Sequence, residues 1–265
     1  MSTDSTKKTI GVALGVCLVC SILVSSAAVS LNSIQEKNKR LDRFKNILAA
    51  AGLDPLSGDV VDIYNEKIDP VIIDLSTGNP IPDTEYNEMM DPATFNIKAL
   101  ADNPQFSESI PDNEDIAGIN RRPKVMAVYQ VRVDGQVQKF VLPIYGKGLW
   151  STLYGFITLD RDLTTVRGIT FYEHGETPGL GGEVDNPKWK NQWNGKTAFD
   201  EQGRVRITVL KGVVDPTNPA SEYQVDGLSG STITSRGVDQ LVKYWLSENG
   251  YGPFFDYLKE NVLNG

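Results

Sequence analysis

The sequence predicts an α+β protein in which a single N-terminal transmembrane helix is followed by a soluble domain of antiparallel sheet and packed helices. Three observations carry this prediction. A stretch with no charged side chain runs from Ile10 to Leu31. Between Val125 and Tyr172 the chain reads as paired strands joined by short turns. Beyond Val238 the apolar spacing changes to that of one helix face.

Taken in order, residues 1–9 form a short N-terminal tail and residues 10–31 the transmembrane helix. Those 22 residues rise about 33 Å at ~1.5 Å per residue, enough to cross a hydrocarbon core of about 30 Å. Gly11, Ala13, Gly15, Ser21, Ser25 and Ala28 suit close packing against neighbouring membrane helices. A cleavable signal peptide is the competing reading, with Ala28-Val29-Ser30 as a loose cleavage site. The apolar run exceeds the usual core of such a peptide, which favours an anchor. Cys17 and Cys20 are the only cysteines and both fall inside the span. They read as small apolar residues there, and the rest of the chain has neither a disulfide framework nor a thiolate metal site. Residues 32–53 read as a linker helix, with Leu41, Phe44 and Leu48 on one face.

Charge divides the chain. Residues 1–48 carry seven basic and three acidic side chains, leaving 19 basic and 31 acidic residues in the remainder. A domain that acidic has no phosphate-neutralising surface, which excludes nucleic acid as a partner. Two lysines precede the span and five basic residues follow it. Counted literally, this puts the domain in the cytoplasm, although long domains translocate largely regardless of charge.

The soluble domain, residues 54–265, begins irregularly, with six prolines between Pro70 and Pro111. Val60–Tyr64 and Pro70–Leu75 are expected to be short strands, and Asp112–Asp115 an acidic loop. Val125–Val133 alternates apolar and polar residues, Asp134-Gly135 supplies a two-residue turn, and Val137–Ile144 completes a hairpin. Thr152–Leu159 and Thr165–Tyr172 form a second strand pair, and Val205–Leu210 a further strand. Val238, Leu241, Val242, Trp245 and Leu246 make a helical stripe ending at Asn249-Gly250, and Pro253–Leu263 reads as a last short helix. Hairpins followed by helices imply a sheet with the helices on one side.

Common catalytic patterns are missing. The chain has one histidine, His174, no G-x-S-x-G elbow, no Walker A loop and no dinucleotide fingerprint. The segment that stands out is Asp226–Gly237, in which Ser229, Ser231, Thr232, Thr234 and Ser235 precede the amphipathic helix directly. A helix start with unpaired N–H groups accepts a phosphate, and Arg236 adds a cation. The same residues also read as a simple helix cap.

The run Asp226-Gly227-Leu228-Ser229-Gly230-Ser231-Thr232-Ile233-Thr234 resembles the D-x-x-S-G-A-T-x-T flavinylation motif of the FMN-binding domain family, with Ser231 in the place of the usual alanine. His174–Gly181 is similar to that family's second flavin-pocket stretch. The run Tyr244–Phe254 is similar to that of the NqrC family of the Na+-translocating NADH:quinone reductases. The resemblance implies one FMN per chain, covalently held by a phosphoester to Thr232, with Ser229, Gly230, Ser231 and Thr234 around it. It further implies that Glu176, Thr177, Gly179, Leu180 and Trp150 line the ring pocket, on the loops Gly146–Trp150 and Glu176–Leu180. In this reading Trp150 packs against the ring or, equally, belongs to the core or an interface; Glu176 hydrogen-bonds a polar ring edge or is an exposed loop carboxylate; His174 tunes the flavin or is a structural loop residue. The function implied is that of an electron carrier in a sodium-translocating NADH:quinone oxidoreductase of six subunits, on the periplasmic face of a bacterial inner membrane. It takes electrons from an iron–sulfur centre and passes them to another flavin subunit, and a separate flavin transferase using FAD installs the cofactor. Two alternatives are the equivalent subunit of the related Rnf complex and a non-catalytic, membrane-tethered assembly module.

Overall fold

In the computed structural model, which describes residues 6–263, helix α1 runs unbroken over Thr6–Ala50. The first five residues of the expected tail lie outside the described residues. The expected span and the linker helix are thus one element. Among the described residues it is the one helix long and apolar enough to cross a membrane. The chain divides into two compact units, Met1–Arg43 and Phe44–Gly265. The second begins inside α1 because Phe44, Ile47, Leu48 and Ala51 repeat at helical spacing and are buried in its core.

Helix α2, Val60–Lys67, replaces the first expected strand. Asp59 explains the difference: its carboxylate accepts from Val61 N at 2.9 Å and Asp62 N at 3.2 Å, an N-cap that outweighs a short apolar run. Strand β1, Ile68–Asp74, follows where a strand is expected. After α3, Ile97–Asp102, the short strands β2, Ser107–Ser109, and β3, Arg121–Pro123, pair as a small ribbon. The main sheet is completed by β4, Val125–Val133, β5, Gln136–Lys147, β6, Thr152–Asp160, and β7, Val166–Glu173. Its five antiparallel strands lie in the order β1-β4-β5-β6-β7. Asp134 and Gly135 turn the β4–β5 hairpin with φ of 51° and 78°, the left-handed pair that a two-residue hairpin requires.

The sheet departs from the expected one-sided cover. Every residue from Phe140 to Gly146 of β5 is buried, so both faces of the central strand are covered. The physical reason lies in the sequence Phe140-Val141-Leu142-Pro143-Ile144-Tyr145, a continuous apolar run rather than an alternating one. The end of α1 reaches this sheet: Thr158 Oγ1 donates to Ala50 O at 2.7 Å and Lys139 Nζ to Ala51 O at 2.8 Å.

Beyond β7 come α4, Pro187–Asn191, and a short parallel pair, β8, Thr208–Val209, with β9, Gln224–Val225. Only two residues of the expected strand Val205–Leu210 are therefore in a ladder. Leu210 N still reaches Val225 O of β9, but Arg206 N and Ile207 N go to Ala198 O, and Val209 N goes to the carboxylate of Asp239. Helix α5, Thr232–Leu246, and helix α6, Gly252–Leu258, close the domain. The chain continues helically over Lys259–Leu263, as the expected last helix requires.

Helix α5 lies directly on β5. A Cβ on Gly237 would stand 2.3 Å from Lys147 O, so only glycine lets the two backbones approach this closely. Trp245 Nε1 donates to Tyr145 O at 2.7 Å, and Tyr251 Oη donates to Pro143 O at 2.6 Å. These bonds fix the C-terminal end of the helix, and the Gly237 contact fixes its start. Gly237→Ala should lower the unfolding free energy of the full chain in detergent by about 2 kcal/mol, the cost of overpacking against backbone that cannot yield. Chemical denaturation measures it.

Candidate functional site

The β5–β6 turn, the loop after β7 and the start of α5 are joined through one buried carboxylate. Glu176 is 5% exposed. Its Oε1 accepts from Trp150 N at 2.9 Å and Ser151 N at 3.2 Å, and its Oε2 accepts from Leu149 N at 3.2 Å. Thr234 Oγ1, on the first turn of α5, donates to the same Oε2 at 2.7 Å. Two glycines leave room for this cluster. A Cβ on Gly148 would stand 2.6 Å from Oε1, and one on Gly181 would stand 2.8 Å from Oε2.

Burial alone would raise the Glu176 carboxyl pKa. The Thr234 hydroxyl and the three backbone N–H groups outweigh it and hold the pKa below the ordinary glutamate value. The loop is stiffened from behind as well. Gly175 N donates to Ser151 Oγ at 2.7 Å, and Glu176 N donates to His174 Nδ1 at 3.2 Å. An accepting Nδ1 leaves the imidazole proton on Nε2, which donates to Asp185 Oδ2 at 2.8 Å. His174 thus braces the loop. Glu176 is not free to meet a ligand's polar edge, because its four donors occupy both oxygens.

The motif Asp226–Thr234 follows the same economy. Asp226 is anchored by Val214 N at 2.7 Å and Gln192 Nε2 at 3.0 Å. Gly230 takes a left-handed φ of 70°. Ser231 is the N-cap residue of α5, yet its side chain makes no capping bond. Its carbonyl accepts from Ser235 N at 2.9 Å and Ser235 Oγ at 3.0 Å, while Ser235 Oγ accepts from Leu228 N at 2.8 Å. The hydroxyls of Thr234 and Ser235 are thus bonded and buried, and Ser231 is buried. Thr232, the first residue of α5, is exposed, as is Ser229. Among the described residues the N–H groups of Thr232, Ile233 and Thr234 have no hydrogen-bond partner. The helix-cap reading of this segment is therefore not what the structure shows: the positive end of α5 is open. Arg236 is exposed one turn on, at the i+4 position from Thr232 and so on the same helix face.

Four apolar side chains face solvent on the joined segments: Leu149, 41% exposed, Trp150, 68%, Leu180, 45%, and Ile233, 55%. Leu180 Cδ2 comes within 3.1 Å of where a Cβ on Gly230 would stand, which sets this loop beside the motif. Thr177 and Gly179 hold the loop's turn. Leu180 N donates to Thr177 O at 3.1 Å, and Gly179 has the positive φ, 75°, that a Pro-Gly turn needs. The structure thus assembles Thr232, Gly230, Leu180, Trp150, Glu176 and Thr234, and leaves the Thr177 and Ser229 hydroxyls exposed. The sequence reading does not foresee the part played by Gly148, Gly181 and Ser151, for which glycine content alone is a weak signal.

Glu176→Gln should cost about 2 kcal/mol of stability at pH 7, since its amide puts a donor against donors. A carboxyl lowered in the folded state contributes stability that is complete above the ordinary glutamate range and is lost as pH falls through its folded value. The gap between wild type and variant should therefore narrow below about pH 4, as followed by denaturation at a series of pH values.

A model of the FMN-binding domain matches residues 148–247, from the glycine beside Glu176 to the end of α5. The C subunit of the Na(+)-translocating NADH-quinone reductase of Yersinia pestis is 47% identical, over 99% of this chain and 96% of its own. The protein of the same name from Pseudomonas aeruginosa is 46% identical, over 97% of each. The crystal structure of Shewanella oneidensis NqrC superposes with a TM-score of 0.77 at 34% identity, over 85% of this chain and all of that one. That of the Parabacteroides distasonis C subunit gives 0.63 at 30% identity, over 84% and 96%. The chain belongs to the family of Na(+)-translocating NADH-quinone reductase C subunits, NqrC.

Proposed function

We propose that this chain is the membrane-anchored electron-carrier subunit of a sodium-translocating NADH:quinone reductase, holding one FMN through a phosphoester on Thr232 Oγ1. The observation that carries the reading is the contrast among the motif's hydroxyls. Thr232 is exposed at the open N-terminus of α5, while Thr234 and Ser235 are committed to internal hydrogen bonds.

The residues present fit the group. The unpartnered N–H groups of Thr232, Ile233 and Thr234 and the helix dipole favour the single negative charge of a phosphodiester. Arg236, on the same face, adds a cation. Leu149, Trp150, Leu180 and Ile233 supply an apolar wall for an aromatic ring, and backbone groups of the two loops supply its polar contacts. FMN, when bound, supplies reversible electron transfer at its isoalloxazine ring. The chain's own part is to position that ring, to exclude water from one side of it, and to keep it from being lost.

Attachment fits a transfer from FAD catalysed by a separate flavin transferase. Thr232 Oγ1 forms the new bond to the phosphorus of the FMN half, the pyrophosphate P–O bond breaks, and AMP leaves with the hydroxyl proton balancing it. The electron donor and acceptor are other members of a complex of six subunits, an iron–sulfur centre and a second flavin subunit. Helix α1 anchors the chain in the bacterial inner membrane, with the flavin domain on the periplasmic side. The apolar stretch Ile10–Leu31 has no ionisable side chain apart from its two thiols, so the sodium path belongs to other subunits.

Two measurements test this. Full-length chain produced with a flavin transferase should gain the mass of one FMN less one water and fluoresce yellow-green after denaturing electrophoresis, and Thr232→Ala should do neither. A Thr232→Ala chain that keeps covalent flavin, or a colourless wild type, overturns the assignment. Protease added to intact spheroplasts should cleave the soluble domain, and full protection would place it on the other face.

A further inference from the structure

Five hydroxyls lie within the seven residues Ser229–Ser235, and a phosphoryl-transfer enzyme must act on one of them. We propose that Glu176 and Thr234 are a positioning pair that selects the acceptor, by locking the rotation of the first turn of α5 so that Thr232, and not Thr234, is presented. The proposal rests on the reading that flavin is attached at Thr232, and it assigns these two residues a part that is not contact with the ring.

Side chains advance by about 100° per residue around a helix, so residues two apart point about 200° from each other. Docking Thr234 inward on Oε2 of Glu176, at 2.7 Å and 1% exposure, therefore turns Thr232 outward. The carboxylate cannot follow if the helix rotates. It is held by Leu149, Trp150 and Ser151 N–H, and Gly148 and Gly181 crowd it so closely that neither position has room for a Cβ. Ser235 fixes the same rotation from the next position, through Ser231 O and Leu228 N. No side chain caps the helix, so without the Thr234 bond Ser235 alone is left to hold its first turn against fraying. One bond thus does two things. It withdraws the Thr234 hydroxyl as a competing nucleophile, and it holds Thr232 in a fixed position for in-line attack on the FAD phosphorus, a step in which the Thr232 O–P bond forms and AMP leaves.

The test uses purified, unflavinylated full-length chain in detergent with a flavin transferase and FAD. Covalent incorporation is followed by in-gel fluorescence, and the modified residue is identified by peptide mapping. Thr234→Val, which keeps the volume but removes the donor, should slow incorporation about tenfold, whereas Thr234→Ser, which restores it, should stay within about twofold of wild type. Glu176→Gln should also slow incorporation and should place part of the flavin on Thr234, now released. The thermal midpoints of Thr234→Val and Thr234→Ser are compared so that a general loss of fold is not mistaken for loss of position. Equal rates for the Val and Ser variants, or Glu176→Gln modified on Thr232 alone at the wild-type rate, overturn the pair while leaving the flavin reading intact. A wild type that takes up no flavin overturns that reading and this proposal together.

Discussion

A carboxylate removed from water and met by four donors is the constraint on which the site depends. Glu176 receives Leu149, Trp150 and Ser151 N–H from the β5–β6 turn and the Thr234 hydroxyl from α5. Any one of these would be a modest hydrogen bond. Together they keep the group ionised at neutral pH and tie two loops to a helix terminus. The rest of the domain supplies the fixed distances. β5 is buried on both faces, α5 lies against its backbone at Gly237, and Trp245 and Tyr251 bond to carbonyls of the same strand. Helix α5 is therefore held near its start by Gly237 and at its end by Trp245 and Tyr251.

From that rigidity follows an unusual helix terminus. Most helices satisfy their first N–H groups with a side chain, and Ser231 stands where such a cap belongs but does not act as one. The groups left open, beside an exposed threonine and four exposed apolar side chains, form a surface that favours a phosphate joined to an aromatic ring. Family membership and local physics point to the same ligand from separate directions.

Much of the sheet was legible in the sequence because its signals are local. Alternation in Val125–Val133 and the Asp134-Gly135 turn specify a hairpin within a few residues, and the stripe from Val238 to Leu246 specifies α5. What escaped reading depends on competition or on distance. Val60–Tyr64 looks like a strand until the Asp59 cap is considered, and Val205–Leu210 spends its donors on Ala198 O and the Asp239 carboxylate as well as on its short ladder. The segment Ser229–Ser235 was visible as a cluster of hydroxyls at a helix start, and Thr232 stood out among them only through resemblance. The Glu176–Thr234 bond joins residues 58 positions apart, and no spacing rule reveals it. For the same reason Glu176 read as a ligand contact, when its oxygens are fully occupied by the protein.

The central claim is that, of the hydroxyls on the first turn of α5, the fold presents that of Thr232 for esterification. Tandem mass spectrometry of the tryptic peptide spanning residues 212–236 from the natively produced chain tests it most directly. The account predicts fragment ions in which the added flavin phosphate first appears at residue 232. Fragments that place it at residue 229, 231, 234 or 235, or a peptide with no addition, would contradict it.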